Sequence, residues 1–158
     1  MKKIVCYTDG ACSCNPGPGG FGIVFIKNDK ISSMFYGGNN YTTNNRMELL
    51  GVIEAINLAK NNGYDTIEFF SDSAYVVNAI NLNWLQKWRS NNFKNTDGKD
   101  IKNIDLWKKL MSILDELFFL EVRIKFTKIK GHNGNYFNEM VDQLAKEEIK
   151  KNVKKAGI

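Results

Sequence analysis

Apolar and polar positions along the 158-residue chain fall first into strand-like runs, then into strands alternating with helices. Residues 3–8, KIVCYT, form an apolar run that reads as a strand. FGIVFIK (21–27) and ISSMFYGGN (31–39) read as two more, with the turn signal KNDK (27–30) joining them as a hairpin. From Asn44 to Asn61 the period changes to helical, with Val52, Ala55, Ile56 and Ala59 on one stripe. Thr43 is a plausible N-cap for that helix and Gly63 a stop. A short strand TIEFFS (66–71) and a helix over 73–82 follow, and 83–101 reads as irregular, aromatic and basic. The pattern then predicts a helix over 103–119, a strand EVRIKFTK (121–128), a glycine-bearing loop KGHNGN and a last helix from Tyr136. Three meandering strands followed by two strand–helix units fit a mixed sheet covered by helices. There is no internal repeat or linker, so one domain is expected.

Composition narrows the class. With 43% apolar and 25% charged residues the chain has the make-up of an ordinary globular protein. No run approaches the roughly 18 apolar residues of a membrane span, and MKKI leads into a strand pattern rather than a signal peptide. The expected compartment is the cytosol. Cys6, Cys12 and Cys14 are odd in number and close together, which argues for reduced thiols over a disulfide framework. Cys12, Cys14 and the lone His132 supply too few ligands for a structural zinc site.

The net charge of +5 is unevenly placed. Residues 83–102 carry Lys87, Arg89, Lys94, Lys99 and Lys102 against Asp97 and Asp100. The stretch 143–158 carries five lysines against Glu147 and Glu148. Two basic zones on a near-neutral body suggest a polyanionic partner, although the C-terminal zone also reads as a solvated helix end.

Four acids stand where apolar residues or bland helix positions are expected. Asp9 and Asp72 each follow an apolar strand, so parallel neighbouring strands would bring both to one carboxyl edge, where ligands bind in open α/β sheets. Asp72 also reads as part of an N-cap with Ser71 and Ser73. Glu48 lies on the inward stripe of its helix, where an unpaired carboxylate would cost several kcal/mol and a cation is expected. It also reads as a partly exposed Glu near the first turn, favoured there by the helix dipole. Asp142 borders the stripe of Phe137, Val141 and Leu144 or Ala145, and by itself reads as an ordinary helix aspartate. Four such acids converge only around cations, and hard divalent ions suit carboxylate oxygen. An all-acid site on a basic protein points to metal-assisted phosphoryl transfer.

Five blocks in register, YTDGACSCNPGPGG, TTNNRMELLGVIEAI, FFSDSAYV, NIDLWKKL and KGHNGNYFNEMVDQLA, together closely resemble ribonuclease H of type 1. The resemblance implies an α/β ribonuclease H-like fold: a five-stranded mixed sheet, three antiparallel strands then parallel ones, flanked by helices. It implies a single domain over 1–150, with 83–102 as a basic protrusion and 151–158 as a Lys-rich tail. It implies an endonuclease that hydrolyses the RNA strand of an RNA–DNA hybrid with Mg²⁺, Mn²⁺ substituting, and leaves 5′-phosphate and 3′-hydroxyl ends. The chain is then expected to be a monomer that meets a hybrid and no membrane.

On the matching positions, Asp9, Glu48, Asp72 and Asp142 become catalytic ligands of two ions, with Asp9 bridging both. His132 matches a histidine thought to shuttle protons or release product, and Glu139 an acidic position near it. Cys12, Asn15, Asn44 and Asn45 belong to a minor-groove contact surface, where the 2′-hydroxyl tells RNA from DNA. Trp84 falls among the protrusion's aromatics, Trp88 is expected to pack its short helix, and Phe93 stands for a usual tryptophan. Lys87, Arg89 and Lys94 would contact phosphate. The protrusion is less basic than in many relatives. Tyr41 replaces a frequent basic residue, which leaves Thr43 and Asn103 as the phosphate-pocket donors, and Ala74 replaces a polar neighbour of Asp72. Two rival readings are a non-catalytic hybrid-binding module and a DNA-directed nuclease of the same fold.

Overall fold

A computed structural model describes residues 2–130 and 134–155, with side chains as far as Lys151. The elements are β1 (Lys3–Cys12), β2 (Gly17–Lys27), β3 (Lys30–Thr42), α1 (Asn44–Asn61), β4 (Thr66–Ser71), α2 (Ala74–Asn81), α3 (Trp84–Ser90), α4 (Ile104–Phe119), β5 (Arg123–Lys128) and α5 (Tyr136–Lys155). The strands make one sheet in the order β3-β2-β1-β4-β5. β1 pairs antiparallel with β2 and β2 with β3, whereas β1–β4 and β4–β5 are parallel. This is the mixed five-stranded sheet flanked by helices that the sequence implies.

The main core joins Ile4, Cys6, Ile23, Ile67 and Phe69 of the sheet to α1, α2 and α4, with Trp107 and Leu110 fully buried. A smaller cluster joins Val24 and Ile26 of β2 to Val141 of α5. There α5 runs close to β2: a Cβ on Gly22 would stand 2.7 Å from both Leu144 Cβ and the Val141 carbonyl. The residues around Gly22 are thus shaped by close packing as much as by turn chemistry.

Several boundaries differ from the sequence reading, among them β3, which runs on to Thr42 instead of ending at Asn39. β1 runs on to Cys12 instead of stopping at Thr8, and β2 begins at Gly17 instead of Phe21, because Asp9 to Cys12 pair in register with Gly22 to Gly19. Asp9 therefore lies inside a strand and not just beyond its end. The stretch 83–101, irregular by its pattern, contains the short helix that the resemblance implied: Trp84–Ser90 is helical, opened by Asn83 at φ 60°. β5 starts two residues late, since Glu121 takes φ 59° in the turn after α4. Helix α1 and strand β4 match their expected spans, and Thr43 caps α1 by accepting a hydrogen bond from the Arg46 N–H.

Candidate active site

Asp9 stands beside Gly22 near the carboxyl end of β1, and Asp72 directly follows β4, its parallel neighbour. Glu48 arrives from the first turns of α1. That approach needs Gly10, where a Cβ would lie 2.5 Å from the Glu48 backbone nitrogen. Ser73 caps α2, accepting from the Val76 N–H, while its own N–H donates to Ser71 Oγ. The cap is thus made without Asp72, whose carboxylate is left for the site.

Carboxylate oxygens of Asp9, Glu48 and Asp72 lie within 4.8 Å of one another. Asp9 is 5% exposed, and Oε2 of Glu48 is sealed from solvent with no hydrogen-bond partner. Burial, then the charges of Asp72 and Asp142, push Asp9 from 3.8 up to about 7, against the opposing Gly10 N–H bond of 2.9 Å. Glu48 is raised well above the usual carboxylate range by burial and then by Asp9. Asp142, on α5, lines the same open depression of about 460 Å³, but its Oδ2 is held by Lys146 Nζ at 2.8 Å.

Gathered acids that resist ionisation, one with an orphaned buried oxygen, fit a hard divalent cation. Oxygen donors of this kind select Mg²⁺-like ions over softer metals. The same ion would remove the penalty that burial places on these charges.

A family model described as RNase H matches residues 1–150. The chain belongs to the ribonuclease H family. It is an enzyme of that family, and curated relatives agree over nearly their whole length. The ribonuclease H of Syntrophomonas wolfei is 46% identical over 150 residues, covering 95% of this chain and 98% of its own. Among solved structures, ribonuclease H1 of the halophilic archaeon Halobacterium salinarum superposes with a TM-score of 0.70 at 27% identity, covering 94% of this chain and 98% of that one. The foamy viral protease–reverse transcriptase in complex with RNA/DNA hybrid has a TM-score of 0.75 at 26% identity, covering 92% of this chain and 20% of that one.

Around this acidic cluster, the other residues picked from sequence fall into three groups. Asn44 and Asn45 are exposed at the lip of the depression. Asn15 Oδ1 accepts from the Asn44 N–H at 3.0 Å, which ties the β1–β2 loop to the start of α1. Cys12 is half-buried, its thiol on the carbonyls of Gly17 and Thr42 at 3.3 Å each. Asn103 opens α4 at φ 60°, with its amide already engaged: Nδ2 donates to the Tyr75 hydroxyl and Oδ1 accepts from Arg46. Trp84 is partly buried against the main core, as is Trp88, whose ring sits 4.9 Å from that of Trp107. His132 lies outside the described residues.

The sequence reading missed the Arg46–Asp105 pair, at 2.7 Å, and Tyr75, which accepts from both Asn103 and Trp107 Nε1. Arg46 reads as one more polar helix residue, and its partner lies 59 positions away. The sequence reading expects phosphate contacts from Lys87, Arg89 and Lys94. In the structure Arg89 pairs with Asp115 at 2.8 Å, and Lys94 pairs with Asp100.

Proposed function

We propose that this ribonuclease H cuts the RNA strand of RNA–DNA hybrids by a two-cation mechanism. The observation that carries the reading is the meeting of Asp9, Glu48, Asp72 and Asp142, from four separate elements, around one open depression. These four side chains would hold the cations, with Asp9 shared between them. When bound, two such ions activate a water and stabilise the leaving oxygen of a phosphodiester, leaving 5′-phosphate and 3′-hydroxyl ends. Mg²⁺ is the proposed ion, with Mn²⁺ as a substitute, and the acting species is a monomer.

The chain's own residues bind and orient. The Asn15–Asn44 link makes the β1–β2 loop and the N-terminus of α1 one surface beside the acids. With Cys12 and Asn45, this surface presents amide and backbone groups to the hybrid's minor groove, where a 2′-hydroxyl both donates and accepts. Thr43 and Asn103 would meet a phosphate of the DNA strand, with Trp84 on the protrusion side. His132 would pass a proton or help product leave.

The test is one assay: labelled RNA–DNA hybrid, duplex DNA and duplex RNA, each with Mg²⁺, against wild type and Asp9→Asn. Hybrid cleavage that Asp9→Asn abolishes supports the reading. Cleavage of duplex DNA would favour the DNA-directed nuclease, and hybrid binding without cutting would favour the binding module.

A further inference from the structure

Among the four acids Asp142 alone already holds a cationic partner from its own helix. Its Oδ2 meets Lys146 Nζ at 2.8 Å, one turn along α5, and its oxygens are absent from the group of three that gather within 4.8 Å. Asp142's side chain is 24% exposed and Lys146's 53%, so the pair sits at the open side of the depression and not in the core. The ammonium also feels Asp9, and Asp9 feels Asp142, which places all three within one electrostatic neighbourhood. No other ion pair to Asp9, Glu48, Asp72 or Asp142 occurs among the described residues.

We propose that Lys146 is a latch on the second cation position: its ammonium occupies Asp142 until a substrate phosphate draws it away. The inference rests on the two-cation reading above. The physics is competition between like charges. An ammonium and a divalent ion on one carboxylate repel each other, and in a half-exposed site that repulsion weakens the incoming ion without excluding it. The first cation, held by Asp9, Glu48 and Asp72, does not displace Lys146. The second does, unless a phosphodiester oxygen takes over the ammonium. Arrival of substrate and completion of the cation set are thereby coupled, and the coupling is reciprocal. Lys150 supplies an internal control, since it has the same charge and pairs with Glu147 on the same helix.

Mn²⁺ binding to the free protein, measured by titration calorimetry without nucleic acid, tests the latch. Wild type, Lys146→Met, Lys146→Arg and Lys150→Met are compared at one ionic strength, with hybrid cleavage by wild type followed in parallel. The expected result is a first ion bound alike by all four, and a second bound about tenfold more tightly by Lys146→Met alone, about 1.4 kcal/mol. Lys146→Arg keeps the charge and should match wild type. Equal second-ion affinity in Lys146→Met and wild type overturns the proposal. So does an equal gain in Lys150→Met, which would show an effect of net charge only. Loss of the first ion or of hybrid cleavage in wild type would instead sink the two-cation reading, a result distinct from a failed latch.

Discussion

Two corners of the molecule handle charge in opposite ways. Where β1 and β4 end, Asp9, Glu48 and Asp72 crowd together with no basic side chain paired to any of them among the described residues. On the α3–α4 side, charges of opposite sign meet across the surface: Arg46 with Asp105, Arg89 with Asp115, Lys94 with Asp100. The second arrangement is what folding alone favours, at a modest gain per pair. The first opposes folding, and a bound cation would relieve that opposition, which supports the proposal that it is the working end of the enzyme. Tests of this contrast range from a thousandfold loss of activity to a fraction of a kcal/mol.

Replacing Asp9 with Asn should have the largest effect, and in two directions. Hybrid cleavage with Mg²⁺ should fall on the order of 10³-fold or more in a steady-state assay. In EDTA at pH 8 the same variant should melt several degrees higher than wild type, since one buried negative charge is gone. A variant both inactive and less stable without metal would show that the acid corner is not under charge strain.

Gly10→Ala probes the same corner through packing. The added methyl would meet the Glu48 backbone at 2.5 Å, so α1 must back away from β1. Such overpacking costs about 1–3 kcal/mol, read as a lower denaturation midpoint. Cleavage should fall further than the population of folded protein does, because Glu48 moves with its helix. Equal losses would reduce Gly10 to a structural spacer.

Metal-free stability should depend on pH with a definite sign. Burial raises the folded values of Asp9 and Glu48 above those of the unfolded chain, so the folded state binds these protons more tightly. That contribution is complete below about pH 4, and is lost as pH climbs through the folded value of about 7 for Asp9. Unfolding free energies from urea titrations in EDTA should therefore decline across that window by an amount of order 2–4 kcal/mol. Saturating Mg²⁺ should flatten the profile, and a profile already flat in EDTA would refute the raised values.

Much of this contrast could be read in the sequence, and the reason is local. Asp9, Asp72 and Glu48 stand out because each breaks an apolar run or stripe. α1 and β4 keep their expected bounds because their periodicity, and for α1 its Thr43 cap, are local signals. What stayed hidden is pairing over distance. Arg89 and Lys94 look like phosphate ligands until α4 and the loop before it supply Asp115 and Asp100. The early start of β2 was hidden for a related reason: PGPGG reads as a turn unless Gly19 and Gly20 are known to pair with Cys12 and Ala11, with α5 passing close to Gly20.

On the proposed reading, the basic residues of the protrusion should contribute unevenly to hybrid affinity. Lys87 is exposed and has no ion-pair partner among the described residues, unlike Arg89 and Lys94. Lys87→Gln should reduce the slope of log affinity against log salt by roughly 0.7–0.9, the value for one lost phosphate contact. Arg89→Gln and Lys94→Gln should change it less, because their charges are already partly neutralised. Three equal slope changes would mean that these pairs open when the hybrid binds.

The smallest effect belongs to Asp105, and its sign separates the two corners. Arg46 hydrogen bonding holds the Asp105 carboxyl down at about 2, opposite in direction to Asp9. Its side chain is 61% exposed, so screening by water leaves only about 0.2–1 kcal/mol of the apparent gain. This contribution is present above the unfolded value near pH 4, and is lost as pH falls toward 2. The midpoint difference between wild type and Asp105→Asn should accordingly be constant from pH 5 to 8 and close as the solution is made more acidic. For Asp9→Asn in EDTA the difference should instead open as pH rises from about 4 to about 7, with the variant the more stable. Parallel curves for the two variants would mean that the acids of the candidate cation site are held no differently from a surface ion pair.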